Sequence, residues 1–286
     1  MKTFSRVFMG ILVFTLSIFC VGFIAGEAIT QKKIDLIKER IPNQWWYGGW
    51  NEENNCEDII SDSQGTEDQK AEAQYYIACQ HYANNDHQLA IQEFRKLIQN
   101  YPNSWFQCQK AQFEIGQICL YRLNDPSAAI FEYQSAVNNY QDSYIKPLAQ
   151  MMIGRAYRKQ KQYDVALSEY EKVSLLYPAY LTEGTQASLD IASMFTEQAF
   201  GKVNKRAKES YLNDALLAYK DAYMKCPVNH PELMEQILDG IGRTFRCLDM
   251  NMIRSNEFIK FQKYGQAGID GELSTDDDLT NPLEEI

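Results

Sequence analysis

Ala166-Leu167-Ser168-Glu169-Tyr170, running on through Val173 to Tyr177-Pro178, is the stretch that decides the fold. On a helix, Ala166, Tyr170 and Val173 fall on one stripe, and the proline stops the helix after its last turn. Twelve positions upstream stands Gly154, followed by Tyr157, and these mark an earlier helix. Small residues at 154 and 166 are what two closely packed antiparallel helices require, because a larger side chain at the contact would push the axes apart. Residues 147–180 therefore encode a helical hairpin.

The same pattern recurs along the chain. It appears as Ala90-Ile91-Gln92-Glu93-Phe94 through Leu97 to Tyr101-Pro102, and as Ala129-Ile130-Phe131-Glu132-Tyr133 through Ala136 to Tyr140-Gln141. A further copy is Ala215-Leu216-Leu217-Ala218-Tyr219 through Ala222 to Cys226-Pro227. Ala78, Gly116 and Ala192 mark the matching first helices, and the aromatic residues are expected to fill the space toward the next hairpin. The steps between the alanines at 90, 129, 166 and 215 are 39, 37 and 49 residues. The long last step holds an insert around 201–213, basic through Lys202, Lys205, Arg206 and Lys208, which is expected to lengthen both helices of its unit. A fifth, degenerate unit keeps Gly242, Phe245 and Phe258 in register but has Arg254 where alanine is expected, as suits a capping pair that meets water.

At its small, aromatic, small and proline positions this pattern resembles the tetratricopeptide repeat, from Ala71 to Pro227 and more weakly to about Tyr264. The tryptophan customary near the start of that repeat is absent, and the steps exceed its period of about 34 residues. The resemblance implies an all-α fold, a right-handed solenoid of helix hairpins over 66–264. The repeats are expected at about 71–104, 109–142, 147–180 and 185–229, with the degenerate one at 231–264. It also implies a concave groove lined by the first helix of each pair. Carried onto this chain, the groove consists of Tyr75, Cys79 and Tyr82; Phe113, Gln117, Leu120 and Tyr121; Met151, Arg155, Arg158 and Lys159; Ser193, Thr196 and Glu197; and Arg243 and Arg246. Such a groove is aromatic first and basic later. Its arginines either bind carboxylates of a partner peptide or pair with neighbouring Glu and Asp. Longer repeats on an exported chain are also similar to the periplasmic tetratricopeptide proteins of envelope assembly and Tol-Pal type.

The amino terminus reads as an address. Lys2 and Arg6 precede an uncharged, strongly apolar run from Val7 to Gly26. A run of about 20 residues spans a bilayer core, whereas cleaved signals usually have shorter apolar regions. Residues 1–28 are thus a signal anchor, or a signal peptide cut after Ala28. The body is expected outside the cytoplasm, either membrane-tethered (periplasmic if bacterial) or released. Phe19 before Cys20 argues against lipidation there. In 29–65, Ile34, Ile37 and Ile41 stripe a short amphipathic helix ended by Pro42. Trp45, Trp46 and Trp50 then either lie at lipid headgroups or fold back over the apolar edge of the first repeat. Thr66 with Gln69 makes a capping box, so the ordered repeats are expected to begin near Thr66.

Of 286 residues, 38 are acidic and 28 basic, a net charge of -10 that recommends neither nucleic acid nor an anionic membrane surface as partner. Residues 265–286 read as a solvated acidic tail, and opposite charge suggests that it folds into the basic end of the groove. Seven cysteines include no C-x-x-C pair, so no zinc or haem site is indicated, and individual burial is favoured over a named bridge. His81, His87 and His230 lack a nucleophile at motif spacing, and no phosphate-binding loop occurs, so neither catalysis nor a cofactor is expected. The function expected is a protein-binding scaffold. The alternatives are an envelope assembly or transport accessory that holds a small molecule or glycan, and a protein that self-associates through its last repeat.

Overall fold

The structure, a computed structural model, describes residues 53–140 and 143–248. Among them every regular element is helical. The expected anchor, the amphipathic helix, the tryptophan cluster, the second half of the fifth repeat and the acidic tail all lie outside these residues. Among the described residues no helix is long and apolar enough to cross a membrane. The helices fall into two units that divide between Ser143 and Tyr144.

The first unit contains α1 (Glu53–Ser61), α2 (Glu67–Ala83), α3 (His87–Asn100), α4 (Trp105–Tyr121) and α5 (Pro126–Asn139). Thr66 caps α2 as expected: its hydroxyl accepts from Gln69 N, and the Gln69 side chain accepts from Thr66 N at 3.0 Å. Order starts one helix earlier than Thr66, however. α1 sets Cys56 and Ile59 against Ala73 and Ile77 of α2, closing the apolar edge of the first hairpin. So short a helix carries too few apolar positions for its period to stand out in the sequence.

The second unit contains α6 (Ile145–Lys159), α7 (Tyr163–Leu176), α8 (Leu181–Phe200), α9 (Lys205–Lys225) and α10 (Pro231–Leu248). The extra residues of the fourth repeat go into helix, since α8 and α9 run for 20 and 21 residues. At their exposed tip Lys202 and Lys208 lay their ammonium groups over the rings of Tyr211 and Phe200.

In both units the repeat alanines Ala78, Ala90, Ala129, Ala166, Ala192 and Ala215 are fully buried, as are Phe94, Tyr133, Tyr170 and Tyr219 to within a few per cent. The aromatic does more than fill space toward the next hairpin. A Cβ added at Gly116 would lie 2.6 Å from the Tyr133 ring, and one at Gly154 would lie 2.7 Å from the Tyr170 ring. Each ring therefore sits directly on the glycine of its own pair. Tyr219 instead lies over Gly240 of the following helix, at 2.3 Å from such a Cβ. Gly242, the glycine expected from the repeat register, is buried nearby, and Tyr157 packs partly buried against the Tyr170 cluster. The turns repeat as well: Asn85, Asn124 and Lys161 take positive φ of 64°, 53° and 61°, one in each of three hairpins.

A polar clamp also recurs. Gln74 donates to Glu93 at 2.7 Å, and Gln112 donates to Glu132 and Gln150 to Glu169 in the same way. Each glutamine lies four residues before the small residue of the first helix, and each glutamate immediately before the aromatic of the second. This pair joins two helices and is not displayed by the period of either one, although its register is present in three copies. Lys96 and Lys172 complete two of the clamps, at 2.6 and 2.7 Å from Glu93 and Glu169.

Candidate functional site: the faces of the first helices

In the first unit α2 and α4 are the first helices of successive hairpins, and their side chains meet on one face. Tyr75 was expected to line an open groove. It is instead buried, with its ring 5.3 Å from that of Phe94 and its hydroxyl donating to Glu114 at 3.3 Å. The Lys110 ammonium lies 4.6 Å above the Tyr75 ring and 5.6 Å from that of Phe106. Burial pushes the Glu114 carboxyl up to about 7, with the Tyr75 hydroxyl and the Lys110 charge pulling the other way. Burial, and then the Glu114 charge, raises both the Tyr75 hydroxyl and the Cys79 thiol well above their ordinary ranges. Glu114 is therefore the group in this cluster that titrates near neutrality.

Around this cluster the face is aromatic and open. Phe106 is 45% exposed and Tyr121 53%, at the two ends of α4, and Phe113 and Gln117 lie half-buried between them. Phe113 rests against Tyr133, 5.4 Å between centroids, which holds it at the edge of the core. Leu120 is buried. Tyr82 is joined to α4 by Arg122, whose Nε donates to the Tyr82 hydroxyl at 2.5 Å while the guanidinium covers the ring at 5.1 Å. Phe106 and Lys110 were absent from the expected lining. Their places two turns and one turn before Phe113 on the same helix stripe were the signal that would have found them.

The second unit departs further from expectation. Met151 is buried against Tyr170, Val173 and Met194, because its position on α6 faces the following helix. Arg155 Nε lies 2.5 Å from Asp190 and Arg158 Nε 2.9 Å from Glu197, which also accepts from Tyr163 at 3.1 Å. Arg243 pairs with Asp239 at 3.0 Å on its own helix. Lys159 and Arg246 are exposed, Ser193 is half-buried, and Thr196 donates back to Ala192 O. Three of the five expected basic residues, Arg155, Arg158 and Arg243, are thus matched by carboxylates in the fold. For these three the geometry matches pairing, the second of the two readings of the groove arginines.

Among the described residues Cys56, Cys79, Cys108, Cys119, Cys226 and Cys247 are free thiols, the first, third and fourth of them buried and the others half-buried. Among the described residues no three His, Cys, Asp or Glu side chains gather as metal ligands would.

No curated protein matches the chain. The profile of the tetratricopeptide repeat family matches residues 72–104 and 148–180, which are the hairpins α2–α3 and α6–α7. With one match in each unit and the same alanine, aromatic and clamp positions in both, the chain carries tetratricopeptide repeats.

Proposed function

We propose that this protein is a non-catalytic scaffold that holds a peptide or protein segment on the aromatic face of α2 and α4, at or beyond a membrane. Tetratricopeptide repeats in general mediate protein–protein interaction. The observation that carries the assignment to this face is the exposed aromatic stripe of α4, from Phe106 at 45% exposure to Tyr121 at 53%, with Lys110 between. Rigid aromatic rings offer large contact area at small entropic cost, and they dominate the binding energy of protein interfaces. Lys110 and Arg122 add cations to an otherwise acidic chain, so the segment that fits is apolar with an acidic or carboxyl-terminal group. The arginines of the second unit, matched by Asp190 and Glu197, contribute rigidity rather than a charged groove.

The membrane part of the proposal is supported by the apolar run from Val7 to Gly26. Peptide display against the full-length chain tests the binding part. Selected peptides should be apolar and acidic, and Phe106→Ala with Tyr121→Ala should weaken them by about tenfold or more, as expected for losing two interface aromatics. Selected peptides that bind this double variant as tightly as the parent would refute the assignment. Carbonate-washed membranes, probed for the mature amino terminus, separate a tethered body from a released one.

A further inference from the structure

The polar clamp that recurs in three hairpins is broken in the fourth. Where the first helices carry Gln74, Gln112 and Gln150, α8 has Ser188; where the second helices carry Glu93, Glu132 and Glu169, α9 has Ala218. A contact between successive second helices is lost with it. In the first unit Arg95 of α3 reaches Glu132 of α5 at 3.0 Å. The positions in the same register of the second unit are Glu171 of α7 and Ala218 of α9. A carboxylate has replaced the guanidinium, and a methyl group has replaced the carboxylate that held it.

An open cleft of about 430 Å³ lies between α7 and α9 at this place. Ile191 and Phe195 of α8 form an apolar floor, and Leu167 and Leu217 flank it. Three carboxylates line the cleft, Glu171, Asp214 and Asp221, against the single ammonium of Lys225. That ammonium is engaged, 2.5 Å from Asp221 and 3.2 Å from Ser174, and Asp221 also accepts from Ser188 at 2.6 Å. Glu171 and Asp214 have no cation within salt-bridge distance among the described residues. A concave apolar surface carrying two unanswered carboxylates has the chemistry of a receptor for a cation on an aliphatic stem.

We infer that this cleft receives an arginine or lysine side chain of a partner protein. The stem lies on Leu167 and Leu217, and the cation stands between Glu171 and Asp214, in the role that Arg95 plays toward Glu132 in the first unit. The site lies in a different unit from the aromatic face of α4, so it stands or falls without that assignment.

The test uses the full-length chain and a fluorescent, end-blocked peptide of leucine and arginine. Its counterpart has citrulline, the neutral isostere, in place of arginine. Anisotropy should show the arginine peptide bound and the citrulline peptide markedly weaker. Glu171→Gln with Asp214→Asn, both at the protein surface, should weaken the arginine peptide by about tenfold, the product of two modest ion pairs. Glu171→Arg with Ala218→Glu rebuilds the Arg95–Glu132 pair across the cleft and should remove binding. Glu57→Gln with Asp58→Asn, on exposed positions of α1, should change nothing, and neither should Phe106→Ala with Tyr121→Ala. The inference is overturned if the arginine peptide fails to bind. It is also overturned if the cleft variants bind it like the parent, or if the α1 variant loses as much as the cleft variants do. A dimer in sedimentation that Glu171→Gln with Asp214→Asn dissolves would likewise overturn it, by making a second copy the occupant.

Discussion

Lys161 stands at φ 61° in the α6–α7 turn, at the position that Asn85 and Asn124 occupy in two other hairpins. Asparagine tolerates the left-handed region because its short side chain bonds locally, whereas a lysine there bears the steric cost of its Cβ. Lys161→Gly should therefore raise stability by about 0.5–1 kcal/mol, read as a higher unfolding temperature, and Asn85→Gly should gain less. Glu114 is the second residue whose setting has a measurable consequence. Its folded value of about 7 lies above its ordinary 4.5, because burial beside Tyr75 and Cys79 outweighs Lys110. A raised carboxyl contributes stability that is fully present below the unfolded value and is lost as pH climbs through the folded one. The parent protein should thus lose on the order of 1–2 kcal/mol between pH 4.5 and 8 from this group, discounted for its partial exposure. Glu114→Gln should remove that part of the slope and stabilise the chain at pH 8. An unchanged profile would show that the carboxyl is solvated.

At the scale of the element, the second and third hairpins are each locked by an apolar contact and a polar one. The apolar contact is the ring on glycine, and Gly154→Ala should destabilise by about 1–3 kcal/mol, since the added carbon meets ring atoms that neighbours already confine. Helix propensity acts against this loss by less than about 1 kcal/mol, so the sign of the change reports the contact. The polar contact is the clamp. Glu132 is 6% exposed and is held by Gln112 and Arg95, so Glu132→Ala strands the buried Gln112 amide, while the exposed Arg95 turns to water, and should cost about 1–2 kcal/mol in urea unfolding. The small and aromatic positions were legible in the sequence through their helical spacing, but the seat of each ring on the glycine of its own pair was not, since the aromatics were expected to face the next hairpin. The clamp was legible in principle, but it joins positions 19 or 20 residues apart on two helices, and no single-helix periodicity displays it. The break at Ser188 and Ala218 became meaningful only once the pairing was seen.

At the scale of the molecule, the sequence was sufficient for an all-helical array of hairpins with long α8 and α9. It was less informative about which first-helix positions face outward. Tyr75 and Met151 carry the same residue chemistry whether they line a groove or a core, and the rotation of each helix that decides between them is set by tertiary packing. The arginines were equally ambiguous, because Asp190 and Glu197, their partners, lie 35 and 39 residues further on. Within the expected groove, the scaffold account rests on the aromatic face of α2 and α4. The measurement that tests this most directly is photo-crosslinking in the cells that make the protein. A photoreactive residue is placed at 106 or 121 of the full-length chain, with 175 and 176 on the exposed side of α7 for comparison. The account predicts a discrete adduct with one and the same partner from 106 and 121, and none of it from 175 or 176. No adduct from 106 and 121, or the same adducts from all four positions, would contradict it.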